Sequence, residues 1–144
     1  MESDDARKLA LDHAWKWFEY HANQRLVTFR FYLILVASLL AADFVALREK
    51  MWSISIVVGA ILVCVTYLFF KLDERNKILV KLGEAALTSE ENYISGILGN
   101  DNLNLVEKAD IKPSGVLSYR QIFSGIFLAF ALLGIVIVVY SVTR

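Results

Sequence analysis

Few side chains in this sequence could do chemistry, and the most provocative of them is Asp43, the one charged residue inside the apolar run 31–47. A charge within a membrane span is costly and tends to face a bundle interior, a partner or a water-filled cavity. That points to pore lining, a relay or an inter-helix contact. Asp43 also lies four residues from the end of its run, where it could reach the interface and pair with Arg48 or Lys50. The two histidines, His13 and His21, are eight residues apart rather than the four of a two-histidine helical metal site, and no cysteine stands near them. The lone Cys64 falls mid-way along the run 52–70 and reads as a small packing residue. Asp73, Glu74 and Arg75 follow that run directly, and a charge run in such a place reads as a solvated face with local ion pairs. No P-loop, dinucleotide turn, nucleophile elbow or zinc signature occurs. An intramembrane protease or acyltransferase would need polar groups in its spans, and here only Asp43, Cys64 and a few hydroxyls are available. The expectation is no enzyme, with no catalytic, cofactor-binding or metal-ligating residue and no cofactor.

The elements that must position these residues are three apolar runs, 31–47, 52–70 and 122–142, of 17, 19 and 21 residues. A bilayer core about 30 Å thick takes roughly 20 apolar helical residues to cross. Hydrophobic residues make up 57% of the chain and mean hydropathy is +0.51, against roughly 45–50% apolar in soluble domains. The reading is an all-α integral membrane protein with three transmembrane helices and cytoplasmic helical extensions. Formal net charge is zero, so composition gives no case for nucleic acid. No signal peptide is evident, because a 30-residue polar, aromatic-rich segment precedes the first run. Twelve basic residues lie before the first run or between the second and third, against three on the other side. That asymmetry predicts an N-in, C-out, multi-pass protein of the inner (plasma) membrane. The chain then divides into an interfacial amphipathic helix (1–30), a two-span hairpin (31–70), a cytoplasmic helical segment and loop (71–120) and a third transmembrane helix (121–144).

Within this frame, Trp17 and His21 share a helical stripe with His13, Tyr20 and Gln24. Aromatics beside Lys and Arg suit either a helix lying at headgroup level or a protein-docking surface. Small residues recur at helical spacing: Ala37/Ala41 and Ser38/Ala42 in the first run, Ser55/Gly59/Ala60 in the second, Gly125/Ala129 and Gly134 in the third. Such residues let helices approach closely in lipid. Ser38, Ala42 and Gly59 therefore join Asp43 as candidate pore or packing positions. Arg25, Arg30, Arg75 and Lys77, with Trp17 and His21, are candidates for a cytoplasmic mouth or a partner contact. Beyond 52–70, Leu72, Leu79, Leu82 and Ala86 form a short heptad seam with Arg75 at one seam position. Thr88-Ser-Glu-Glu91 reads as a capping box opening a short helix, 89–98, ended by Gly99. Residues 100–117 read as irregular, and Ser118–Gln121 as a second capping box at the start of the third span.

The stretches HAWKWFEYHANQRLVTF (13–29) and KLDERNKILVKLGEAAL (71–87), with the tight hairpin between them, resemble SLATT proteins. These are small bacterial two-span proteins proposed to be pore-forming effectors in nucleotide-linked anti-phage conflict systems. The resemblance covers roughly residues 10–90 in layout and texture; the third run departs from the two-span plan, and no residue role carries over. It implies a homo-oligomer in the bilayer whose spans bundle into a regulated pore or membrane-perturbing assembly, triggered through the cytoplasmic helices. The alternative is a membrane anchor or accessory subunit that holds a soluble cytoplasmic partner at the membrane. The first two runs, holding the only intramembrane charge, are where a mechanism is expected; the third suits packing or facing lipid.

Overall fold

The computed structural model describes residues 2–110 and 119–144, and every element in it is helical. Two 47-residue helices, α1 (Glu2–Arg48) and α2 (Trp52–Leu98), are followed by a 3₁₀ turn (Asp101–Leu103), the short α3 (Leu105–Asp110) and the 24-residue α4 (Tyr119–Val142). Three of these helices are long and apolar enough to cross a membrane. α1 contains neither glycine nor proline, so nothing in it breaks the helical hydrogen-bond ladder. It ends in a closed cap: Lys50 adopts φ 57°, its N–H donates to Leu47 O at 3.2 Å, and Met51 N–H donates to Ala46 O at 2.8 Å. A left-handed lysine costs about 1 kcal/mol or more relative to glycine, and the full set of cap bonds holds it there. α2 ends as expected at Gly99, with φ 60° and Asn100 N–H donating to Ser95 O.

The chain forms two compact units. One comprises residues 26–74 and 117–144, and in it the second part of α1, the first part of α2 and α4 make a three-helix bundle. Its core is Tyr32, Val36, Leu62, Phe123, Phe127 and Ile137. Phe29 stacks on Phe123 with ring centroids 3.9 Å apart and planes 6° off parallel, and Phe127 meets Phe29, Tyr32 and Phe70 edge-on or tilted. Large apolar side chains cover the outside as well, among them Phe31, Phe44, Val57, Leu68, Leu128 and Val136. A water-soluble bundle would expose polar residues there, and an exterior this apolar is what hydrocarbon solvates.

The other unit comprises residues 1–25 and 75–116, in which the first part of α1 runs antiparallel to the second part of α2. Ala14 on α1 and Val80, Gly83 and Leu87 on α2 are buried. The seam on α2 is therefore shifted from the one expected, since Leu72, Leu82 and Ala86 are exposed and Leu79 is half-buried. Glycine decides the shift. A Cβ on Gly83 would stand 3.0 Å from both Cα and Cβ of Phe18, so the two helices approach closely here.

Two further expectations are corrected. No helix begins at 89, because α2 passes through Thr88 without a break. The Thr88 hydroxyl returns to Glu84 O at 2.9 Å, and the Glu91 carboxylate accepts from Val106 N–H at 2.9 Å. Glu91 thus caps α3 rather than a helix of its own. Residues 101–110 are not irregular: they hold the 3₁₀ turn and α3. The capping box expected to begin at Ser118 falls outside the described residues.

Candidate functional site

Asp43 is buried inside the three-helix unit, at 4% exposure. Ser55 Oγ, on α2, donates to Asp43 Oδ1 at 2.5 Å, and Ser141 Oγ, on α4, donates to Ser55 Oγ at 2.9 Å. One polar side chain from each helix therefore joins a single hydrogen-bond chain, and all three residues are almost wholly buried. The interfacial pairing of Asp43 with Arg48 or Lys50 is not what forms: Arg48 lies 3.9 Å from Glu49, and Asp43 turns inward to serine. The hairpin is the reason. Asp43 and Ser55 stand six residues either side of Glu49 at the turn, so an antiparallel pair brings them level.

Deeper along α2, Thr66 Oγ1 and the Tyr32 hydroxyl lie 3.2 Å apart in the core. Between these two polar points α2 presents Gly59 and the fully buried Leu62. Gly59 is met by Gly134 of α4, and a Cβ added to either glycine would stand 3.1 Å from the carbonyl oxygen of the other. The packing role expected of Gly59 is thus exercised within the chain, against α4. Ser38 and Ala42 do not join it; both are exposed, and the Ser38 hydroxyl returns to Ile34 O on its own helix at 2.9 Å. Cys64 is also exposed rather than packed. An apolar groove of about 280 Å³ opens between α2 and α4, lined by residues that include Thr66, Tyr67, Phe127 and Leu128. At its Phe70 end, Lys71 donates to Glu74 at 2.7 Å, and that bond holds the Lys71 pKa above the ordinary lysine value.

In the other unit, Trp17 Nε1–H donates to Leu79 O at 3.1 Å, and its Cδ1 would lie 3.2 Å from a Cβ on Gly83. His21 packs on the Trp17 ring at 4.5 Å and shares a 3.2 Å hydrogen bond with Gln24. Trp17 is thus committed to α2 and serves as an internal wedge instead of a free interfacial anchor, although the residue remains 38% exposed. Beside it lies a groove of about 430 Å³ with a floor of Ala14 and Gly83 and walls that include His13, Leu82 and Glu90. Arg25 and Lys77 are half-buried and Arg75 is exposed; Arg30, exposed too, belongs to the three-helix unit. Arg7 sits over the Tyr93 ring at 3.1 Å. Among the described residues, no group of three or more His, Cys, Asp or Glu side chains could hold a metal ion.

The chain is 34% identical over 107 residues to CD-NTase-associated protein 19 of Escherichia coli, a match covering 73% of this chain and 68% of that protein. The chain belongs to the CD-NTase-associated protein 19 family. No family model and no solved structure matches it. For this member of the CD-NTase-associated protein 19 family, the parts of the hydrogen-bond chain that sequence reasoning missed are Ser141 and the partner role of Ser55. Ser55 stood out only as a small residue, and its symmetry with Asp43 about the hairpin turn is the signal that would have paired them. Ser141 carries no such signal, since its register on the hairpin is set by the crossing at Gly59 and Gly134.

Proposed function

We propose that this protein is a non-enzymatic, homo-oligomeric effector of the bacterial inner membrane that forms a regulated pore or membrane-perturbing assembly in nucleotide-linked anti-phage defence. The observation that carries the reading is membership of the CD-NTase-associated protein 19 family in a chain with three helices long and apolar enough to cross a bilayer. The relative's name supports a partnership with a CD-NTase, and the resemblance of residues 10–90 to SLATT proteins in layout supports an effector acting on the membrane. The apolar exterior of the three-helix unit supports its immersion in lipid, with the basic residues favouring an N-in, C-out threading. In that orientation the unit of residues 1–25 and 75–116 is cytoplasmic and receives the trigger. Trp17, His21, Arg25, Arg75 and Lys77 belong to that unit; Arg30 lies at the cytoplasmic mouth of the spans. Asp43 is buried within one chain and acts on helix packing rather than by lining a conduit.

The test is reconstitution. Purified protein in liposomes should run as an oligomer and release an entrapped dye or ions, and Asp43→Asn should change that leak. A second reading, a scaffold that holds a soluble partner at the membrane, is favoured by the groove beside Trp17. A monomer that never permeabilises vesicles and retains a soluble partner through this groove would overturn the pore and establish the scaffold.

A further inference from the structure

In the unit of residues 1–25 and 75–116, α2 divides into three sectors around its axis. One is turned to α1 and buried at Asn76, Val80, Gly83 and Leu87. The next holds the charges Lys77, Lys81, Glu84 and Glu91. The third holds Ile78, Leu82, Ala86, Ser89 and Tyr93, all exposed, with the half-buried Leu79 at its edge. Ile78 is 61% and Leu82 58% exposed. A helix that packs on one neighbour needs one apolar stripe, and α2 has two. The uncovered stripe is the heptad seam of Leu79, Leu82 and Ala86, continued through Ser89 to Tyr93. Arg75 bounds it at one end; at the other, Arg7 lies over the Tyr93 ring. From Ile78 to Tyr93 this sector contains no charged residue, and the adjoining Glu90 is half-buried on the side of α1.

We propose that the uncovered seam is where a second copy of this chain docks, α2 beside α2, parallel and in register. The inference rests on the reading of the chain as a membrane-spanning oligomer and names the surface through which copies meet. Spans that cross one bilayer give every copy the same orientation. α2 runs without a break from Trp52 to Leu98, so the seam lies equally far along the helix from the span in each copy. Residue 82 therefore meets residue 82, and residue 89 meets residue 89, the like-with-like layers of a parallel coiled coil. Electrostatics fit such a pairing. Two uncharged faces bring no like charges together, and the charged sector stays in water. Ala86 and Ser89 let the backbones approach, while Leu82 and Tyr93 fill the layers beside them. The groove of about 430 Å³ adjoins Leu82 and Ala86 and receives the flank of the incoming helix. A seam of two heptads would be marginal between free peptides. Anchoring in a common membrane raises the effective concentration of one copy about another and offsets this.

Disulfide cross-linking of the full chain in liposomes, in a Cys64→Ser background, tests the pairing. Leu82→Cys and Ser89→Cys, one heptad apart, should each give covalent dimers under mild oxidation. Lys81→Cys, in the charged sector, should give about tenfold fewer. Adding Leu82→Asp to Ser89→Cys buries a carboxylate against its twin and should lower the dimer yield about tenfold. Helix circular dichroism should stay unchanged, because Leu82 is exposed within one chain. The proposal is overturned if Lys81→Cys links as readily as Ser89→Cys, or if Leu82→Asp leaves the yield as it was. It is also overturned if only one of the two seam positions links, as in an antiparallel crossing, or if Ser89→Cys in cell membranes links to another protein and never to itself. Should Leu82→Asp disturb the helix, the contrast between positions 81, 82 and 89 still decides. Dye release from the same liposomes reports on the pore separately: seam dimers without leakage refute the pore and leave the seam, whereas leakage without seam dimers does the reverse.

Discussion

Replacing Gly134 by alanine adds one methyl group at the tightest point of the three-helix unit. The new Cβ would stand 2.8 Å from Val63 Cγ2, 3.1 Å from Gly59 O and 3.3 Å from Val63 N. The valine methyl can rotate away, but the carbonyl oxygen and the amide nitrogen are backbone and cannot. The α2–α4 crossing must therefore open by a few tenths of an ångström along its length, losing contact on both sides. Overpacking of this kind costs about 1–3 kcal/mol, which is roughly a 5- to 150-fold fall in the folding constant. The internal control is Gly125→Ala on the same helix, where an added Cβ meets nothing within 4 Å. There the substitution should be neutral or stabilise by up to about 1 kcal/mol, because alanine is the better helix former. Unfolding in mixed detergent micelles, followed by helix circular dichroism, measures both variants against the wild type. Gly59→Ala should resemble Gly134→Ala, and the double variant should cost less than the two singles together, since a crossing opened by one methyl has already made room for the other. That coupling should amount to about 0.5–3 kcal/mol. The reasoning is refuted if the variants at 134 and 125 behave alike, or if the costs at 59 and 134 simply add.

Three further substitutions probe other contacts. Tyr32→Phe removes the hydroxyl that meets Thr66 in the core and should cost about 0.5–1.5 kcal/mol; adding Thr66→Val should recover part of that loss in the same unfolding assay. Gly83→Ala places a Cβ 3.0 Å from the Phe18 backbone, so it should destabilise the unit of residues 1–25 and 75–116 by about 1–3 kcal/mol and shift Trp17 fluorescence as the indole loses its seat. Glu91→Ala deprives α3 of the carboxylate that accepts from Val106 N–H; it should weaken that short helix by about 1 kcal/mol and speed amide exchange at Val106 several-fold, leaving α2 unchanged.

How much of this was legible in the sequence follows from the range of each interaction. The apolar runs and the absence of breakers before Arg48 announce α1 and the three helices long and apolar enough to cross a membrane, because these are sums over many residues and no single contact decides them. Gly99 announces the end of α2 for a local reason, its left-handed φ. The seam on α2 was misread because leucines are the usual seam residues, whereas here the deciding position is Gly83, chosen for what it lacks. Thr88 and Glu91 look like a cap, yet the pattern has no way to show that the helix is already running, or that α3 lies within reach of the carboxylate. Asp43 was recognisable as unusual, but its partners were not. Ser55 depends on the register of the hairpin, and Ser141, which reaches Asp43 only through Ser55, on the register of a helix 86 positions from Ser55 in sequence.

The turn that joins α1 to α2 decides where this unit has freedom to move. With both cap bonds made and Lys50 held left-handed, residues 49–51 contain no slack, and neither helix of the hairpin can slide past the other by even one residue without dismantling the turn. The hairpin is in effect one stiff part. Among the described residues, α4 meets the hairpin through side contacts: a glycine saddle mid-way, an aromatic cluster at the Phe123 end and one serine hydroxyl at the other. Set against that stiff hairpin, the place where α4 comes nearest to α2's backbone is the point where the two glycines meet, so a side chain added there is felt by both helices.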